Sequence, residues 1–160
     1  MLNINVITVG KLKESYLRDA CAEYEKRLGA YSTIKVIELA ESRLLDSPSQ
    51  KEIANALENE ADMILKKITP QSAVIAMCIE GKQISSDELA QFLAQRAGSG
   101  AGDVAFVIGS SHGLSEEVKK AAALKFSMGR ITMPHQLARL VLTEQIYRAC
   151  TINAGMKYHK

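Results

Sequence analysis

This sequence has only three cysteines, no tryptophan and no long apolar run, and each shortage excludes a class of protein. Its cysteines, Cys21, Cys78 and Cys150, are scattered over 160 residues and never spaced as CxxC. Such a set argues against both a disulfide framework and a zinc site, so we expect free, buried thiols. No apolar stretch approaches the ~20 residues of a membrane span, and the first residues read as a strand rather than a signal peptide. We therefore expect a cytoplasmic protein with no membrane segment and no bound metal.

The chain also has little excess charge. Its formal net charge is +2, with 47% hydrophobic and 24% charged residues, which are the values of an ordinary globular protein. At 160 residues, the default is one domain over residues 1–160. The charge is too small to coat a nucleic acid. If RNA is the substrate, positive charge must be concentrated locally or doubled by dimerisation.

Apolar, β-branched runs alternate with helical patterns along the whole chain. The predicted strands are 3–9, 33–39, 73–79, 103–108 and 124–128, and the predicted helices are 15–28, 50–67, 85–97, 116 onwards and 135–153. Residues 80–82 and 98–102 are predicted turns. This order predicts an α/β fold with a parallel sheet and helices on both faces. Ligands of such sheets bind beyond the carboxyl ends of the strands.

Two glycine-rich segments invite a nucleotide-binding interpretation. The segment from Gly98 to Gly102 precedes a strand instead of following one, so a loose connection is favoured over a dinucleotide fingerprint. The segment from Gly109 to Gly113 does follow a strand and precede a helix. It lacks the Lys-Ser/Thr pair of a phosphate-binding loop. A tight turn and a ligand-binding loop fit it equally well.

The segment between the fifth strand and the last helix is the most informative. The segment Met128 to Met133 contains two methionines and an isoleucine beside a glycine and a threonine, a mixture that is too apolar for open solvent. Pro134 then begins the helix. We expect this loop to wrap a flat, partly apolar group such as an adenine. A plain buried crossover fits equally well. His135 and Arg139 are one helical turn apart, so we expect both to face this pocket.

The last helix is apolar around much of its circumference, which predicts burial on most sides, and a partner subunit is a natural source of that cover. Glu144 and Arg148 are spaced for a surface ion pair. The terminal residues, Lys157 to Lys160, fit two interpretations. They are either a frayed end or a tyrosine and a histidine that stack on a base while lysines hold a phosphate.

Three segments together resemble the RlmH family of SPOUT-class methyltransferases: VIGSSHGLS (107–115), ITMPHQLARLVLTEQIYRA (131–149) and the terminal YHK. The family uses S-adenosylmethionine to methylate N3 of a pseudouridine in large-subunit (23S) ribosomal RNA. The resemblance implies an α/β fold with a deep C-terminal trefoil knot, and a homodimer that acts on an assembled ribosome. Ser110 stands where the family usually has a second glycine, and Lys160 stands where other members have arginine.

The resemblance also assigns residues. It places the cofactor against Met77, Gly109, Met128, Gly129, Arg130, Ile131, Thr132 and Met133. The imide N3–H of pseudouridine must lose its proton, and histidine is the usual base for that. Of His112, His135 and His159, the resemblance favours His159 with Tyr158. His135 and Arg139 rank second, and Lys160 with Arg139 are expected to bind RNA.

Two alternatives of other classes stay open at this point. One is a small-molecule methyltransferase, or another nucleotide-cofactor enzyme, that uses the same pocket. The other is a non-catalytic ribosome-binding factor whose pocket no longer works. Calorimetry with S-adenosylmethionine separates the last alternative from the two enzymes.

Overall fold

The computed structural model describes residues 1–100 and 102–160. Within them, strands and helices alternate as the sequence predicts, and all bounds except the end of the third strand lie within two residues of prediction. The elements are β1 (Leu2–Val9), α1 (Ser15–Leu28), β2 (Ser32–Leu39), α2 (Gln50–Leu65), β3 (Ala73–Gln83), α3 (Ser86–Gly98), β4 (Val104–Ile108), α4 (Glu116–Ala121), β5 (Leu124–Ser127) and α5 (His135–Asn153). The predicted turn at 98–102 includes Ala101, which lies outside the described residues.

The strands form one parallel sheet in the order β2-β1-β4-β3-β5, which confirms the predicted sheet type. Because every strand runs the same way, the loops after β1 to β5 all leave from one edge of the sheet. The chain skips past β3 on its way from β4 to β5. The trefoil knot stays a prediction, because strand order alone does not describe threading.

The sheet buries both of its faces. On one face, Ile4 and Phe106 pack with Leu142 and Ile146 of α5 and with residues of α1 and α3. On the other face, side chains such as Val107 pack against α2 and α4. All residues of β4 are buried. Each fully buried Leu, Ile, Val or Phe contributes about 1.5–3 kcal/mol to the free energy of unfolding, so the two cores fix the sheet that carries the loops.

The prediction that β3 ends at Ile79 and turns at residues 80–82 is wrong. The strand continues to Gln83 through a bulge, and both Met77 and Lys82 lie opposite Phe126. A Cβ atom on Gly81 would lie 2.7 Å from the carbonyl carbon and oxygen of Lys125. Glycine therefore serves close approach of two backbones here, although in the sequence it resembles a turn signal.

The fully buried residues of the last helix, α5, lie mostly along one side, and three of them are polar: Arg139, Thr143 and Thr151. Most of its other residues are half-buried and Leu137 is exposed, so most of its circumference is at least partly covered. Pro134 stands at the N-cap position. Among the described residues no helix has the length and apolar character needed to cross a membrane.

All three cysteines are free, as predicted, but only Cys21 is fully buried. Cys78 and Cys150 are half-buried. Burial raises the pKa of each thiol above its ordinary value, and that of Cys150 to about 11. The thiols are therefore protonated at neutral pH.

Candidate active site

The bulged part of β3, the loops that follow β4 and β5, and the start of α5 enclose a cavity of about 160 Å³, which we call the carboxyl-edge pocket. Seven of the eight residues that the sequence assigns to the cofactor line it: Met77, Gly109, Met128, Gly129, Ile131, Thr132 and Met133. Arg130, the eighth, is exposed and is not part of the lining. That these residues bind a cofactor stays a prediction.

The wall that follows β4 is a tight turn, residues 109–113, which we call the β4 turn. The amide of Gly113 donates to the carbonyl of Ser110 at 2.9 Å, and Gly113 has a φ of +86°. A Cβ atom on Gly109 would lie 2.2 Å from the carbonyl oxygen of Gly113. Only glycine fits at that point, so the segment is both a tight turn and a wall of the pocket.

The wall that follows β5 is open towards a ligand. Gly129 has a φ of +118°, and apart from its two chain neighbours none of the described residues has an atom within 4 Å of the position that a Cβ would take. The hydroxyl of Ser127 bonds both the amide and the carbonyl of Gly129, each at 3.2 Å. The side chain of Ile131 is 83% exposed. This loop therefore presents backbone and apolar surface that the chain itself leaves uncovered.

His135 lines the pocket, whereas Arg139 does not, so the expectation that both face it is wrong for Arg139. Arg139 lies one turn deeper, is buried, and donates from Nη1 to Oε2 of Glu38 at 2.7 Å. It lines a separate cavity between α1, β2 and α5, together with Lys11 and Arg18. His135 is the first residue of α5 and lies beside the loop that lines the pocket, whereas Arg139, one turn later, faces the sheet and α1.

The C-terminal tail, residues 157–160, is packed against the protein rather than frayed. The ring of Tyr158 meets that of Tyr147 edge-on at 4.8 Å, and its hydroxyl donates to Oε1 of Glu144 at 3.0 Å. Arg148 lies 4.8 Å above the Tyr158 ring and pairs with Glu144 at 2.5 Å. The predicted pair of Glu144 and Arg148 is thus confirmed, but it is partly buried. Burial raises the pKa of Tyr158 above the ordinary range of tyrosine, and the contacts with Tyr24 and Glu144 raise it further.

His159 lies between two helices. Its Nδ1 is 3.3 Å from Nη1 of Arg148 on α5, and its Nε2 is 3.7 Å from Oδ2 of Asp87 in the first turn of α3. Neither His159, Tyr158 nor the exposed Lys160 lines the carboxyl-edge pocket of its own chain. The structure therefore keeps the predicted catalytic tail apart from the predicted cofactor site.

The pocket has further walls that the sequence did not single out. Cys78, Ile79, Ile108, Phe126 and Ala138 line it as well. Each lies within two positions of a predicted residue, at a strand end or at the start of α5. Extending the predicted set by two residues on each side would therefore have included them. Within the described part of the chain no cluster of three or more His, Cys, Asp or Glu residues is placed to hold a metal ion.

Comparison with known proteins gives this architecture a family. The model of the family described as "Predicted SPOUT methyltransferase" matches residues 2–159. The chain is 48% identical to Ribosomal RNA large subunit methyltransferase H of Streptococcus uberis, over 99% of this chain and 100% of the relative. It is 50% identical to the protein of that name from Bacillus cereus, with the same coverage.

Solved structures agree on the fold. A probable methyltransferase from Bordetella pertussis has a TM-score of 0.58 and 14% identity, covering 93% of this chain and 95% of that one. A ribosomal RNA small subunit methyltransferase E from Neisseria gonorrhoeae, solved with S-adenosylmethionine, has a TM-score of 0.51 and 14% identity, covering 91% of this chain and 65% of that one. At such low identity these likenesses support the fold alone.

Proposed function

Because the chain belongs to the SPOUT methyltransferase family, we propose that it transfers a methyl group from S-adenosylmethionine to large-subunit (23S) ribosomal RNA. The observation that carries this proposal is the full-length identity of about half to proteins named large subunit methyltransferase H. The target atom, N3 of a pseudouridine, follows from the resemblance to the RlmH family. The proposed location is the cytoplasm, where assembled ribosomes are found.

The carboxyl-edge pocket fits the proposed cofactor. Met77, Ile131 and Met133 offer apolar surface to an adenine, and the open backbone at Gly129 admits close approach of a polar group. When bound, S-adenosylmethionine supplies an electrophilic methyl group. The main task of the protein is then to hold two reactants in line, which is worth roughly 7–11 kcal/mol of barrier reduction.

The proposed base is His159, since the N3 proton must leave during attack and histidine is the usual side chain for accepting a proton near neutral pH. Tyr158 has a raised pKa, so it stays protonated and orients the tail or donates a hydrogen bond. His135 lines the pocket and ranks second. Arg139 lies outside the pocket and is proposed either to stabilise the charge that develops during transfer or to bind RNA. Lys160 is proposed to bind the RNA backbone.

The proposed assembly is a homodimer in which each tail serves the pocket of the other protomer. Two observations support it. The tail of one chain is not part of its own pocket, and both Leu137 of α5 and Ile131 of the loop after β5 are exposed apolar residues. A second copy would cover this apolar surface and bring the missing groups to the cofactor.

The test combines two assays on the purified full chain. Calorimetry should show binding of S-adenosylmethionine, and mass mapping of 23S RNA from a deletion strain should show one missing methyl group that the purified protein restores on ribosomes. Free large subunits and assembled ribosomes are assayed side by side. Binding without methylation would favour a non-catalytic ribosome factor, and an unchanged RNA map would refute the substrate.

The salt response offers a simpler check of RNA as the partner. Lysine and arginine contacts to phosphates release counterions, so affinity for the ribosome should fall by about tenfold or more between about 50 and 200 mM salt. The measurement is a filter-binding titration at several salt concentrations. An affinity that does not change with salt would contradict an RNA interface.

A further inference from the structure

A buried carboxylate lies directly behind the β4 turn. Glu60 of α2 is only 3% exposed, yet no ion pair to it occurs among residues 1–100 and 102–160. Its Oε1 accepts from the hydroxyl of Ser110 and its Oε2 from the amide of Ser42, both at 2.9 Å. A buried acid that lacks a cation depends on such donors. Glu60 therefore needs both loops in place.

The second loop, residues 40–49, follows β2, and we call it the β2 loop. The hydroxyl of Ser42 donates to the carbonyl of Ala56 in α2 at 3.3 Å. The hydroxyl of Ser111 donates to Oε1 of Glu41 at 3.4 Å. The β2 loop is thus bonded to α2 and to the β4 turn, and Glu60 is the point where all three meet.

Ser110 is the residue that joins this cluster to the pocket. It lines the carboxyl-edge pocket and is 7% exposed, while its hydroxyl is bonded to Glu60 and its carbonyl closes the turn with Gly113. The hydroxyl proton and one carbonyl lone pair of Ser110 are therefore used in shaping the wall. Since a charge-assisted bond in a buried setting is strong and directional, the position of the β4 turn depends on Glu60.

We propose that Ser110 is a positioning residue for the cofactor, acting through Glu60 to hold the β4 turn and the β2 loop as one rigid unit. This inference rests on the proposed function, because it takes S-adenosylmethionine to be the ligand of the pocket. The unit fixes the wall before binding, so its loss lowers cofactor affinity rather than the rate of the chemical step.

The test compares variants of the full chain by calorimetry with S-adenosylmethionine. Ser110→Ala leaves Glu60 with one donor, and we expect the dissociation constant to rise about tenfold. The rate at saturating cofactor should stay within about twofold of wild type, since only binding is affected. Ser110→Cys keeps a weak donor of similar size, should give a smaller rise, and serves if Ser110→Ala does not fold. Ser32→Ala removes an equally buried serine hydroxyl at the opposite end of the sheet and should leave affinity unchanged.

Changes at Glu60 complete the test. Glu60→Gln keeps both contacts, because its amide can accept from Ser42 and donate to the hydroxyl of Ser110, but it loses the charge, so it should weaken affinity less than Ser110→Ala does. Glu60→Ala also removes the contact with Ser42, so it should weaken binding at least as much as Ser110→Ala, and the double variant should bind no more weakly than Glu60→Ala alone, as expected for partners in one interaction. In the free protein, Ser110→Ala should also speed hydrogen exchange at the amide of Ser42.

The outcomes distinguish a failure of this inference from a failure of the proposed function on which it rests. Wild-type protein that binds no S-adenosylmethionine refutes the proposed function and the positioning role with it. Wild-type protein that binds, with Ser110→Ala binding equally well, refutes the positioning role alone. Additive losses in the double variant would also refute it, because Ser110 and Glu60 would then act separately.

Discussion

The carboxyl-edge pocket is walled by backbone, methionines and isoleucines, whereas the C-terminal tail carries two exposed lysines together with a tyrosine and a histidine that contact charged partners. His135 and Cys78 are the titratable side chains on the pocket wall. The tail, by contrast, lies among Glu144, Arg148 and Asp87. The first region suits a flat, partly apolar ligand, and the second suits proton transfer and phosphate contact.

The separation of these regions has a consequence for the proposed reaction. If the pocket binds the methyl donor and the tail removes the proton from the target base, the residues for these two tasks lie apart within a single chain. The homodimer proposed above would bring the tail of one protomer to the pocket of the other. The predictions below test that division, beginning with the largest effect.

The largest effect is expected at the tail. His159→Ala removes the proposed base, so the methylation rate should fall by about 10²–10⁴-fold, while the affinity for S-adenosylmethionine should hardly change. Single-turnover methylation of ribosomes and calorimetry measure the two quantities. His112→Ala, which removes an exposed histidine outside the pocket lining, should keep its rate. Wild-type turnover in His159→Ala would remove this residue from the mechanism.

The converse effect is expected at the pocket. Gly129 has a φ of +118°, and a β-branched residue there is strained by about 1–3 kcal/mol. Gly129→Val should therefore weaken binding of S-adenosylmethionine by about ten- to a hundredfold in a calorimetric titration. Its tail should stay in place, with Tyr158 still packed on Tyr147. Unchanged affinity would mean that the cofactor lies elsewhere.

Mixing these two variants tests whether the tail acts across the dimer. In mixed dimers, one site combines the intact pocket of His159→Ala with the intact tail of Gly129→Val. Random exchange should restore about a quarter of the wild-type sites, because half of the dimers are mixed and one site in each is whole. The assay is methylation after unfolding and refolding the mixture together. No recovery at all would show that each tail serves its own chain.

The smallest effect concerns the tail alone. The pKa of Tyr158 is raised, so Tyr158 stays protonated above the ~10 of a free tyrosine. Its contribution to stability is therefore full below that pH and is lost as the pH rises towards the folded-state value. Titration by absorbance at 295 nm should show one late tyrosine that Tyr158→Phe removes. Tyr16→Phe, which removes an exposed ring, should leave the late step in place.

The sequence predicted those parts of the fold that depend on local pattern. Strand and helix bounds followed from apolar spacing, and the structure adds a capping box of Ser85 and Glu88 at the start of α3. The bulge of β3 could not be found in this way. Gly81 looks like a turn residue until Lys125 of another strand is placed beside it. Which strands are neighbours depends on contacts across the whole chain, and a short pattern carries no such information.

In the candidate site, too, residues with a local sequence pattern were predicted and residues that depend on distant contacts were not. The residues of the β4 turn and of the loop after β5 were predicted because strand ends and glycines are visible in sequence. The partner of Arg139, Glu38, is 101 positions away, and helical spacing alone wrongly placed Arg139 in the pocket. Glu60 went unnoticed because a glutamate within a helix usually faces solvent. Its role depends on Ser42 and Ser110, which come near only in the folded chain.

Because the native thiols are mostly protonated, a label can be attached selectively to a new cysteine at the rim of the pocket. The thiolate is the form that reacts with maleimides, and all three cysteines have raised pKa values. A single new thiol at an exposed position, for example Ile131→Cys on the pocket rim, should thus react first. A fluorophore attached there would report the arrival of ligand and of a second protomer in real time, in otherwise unaltered protein.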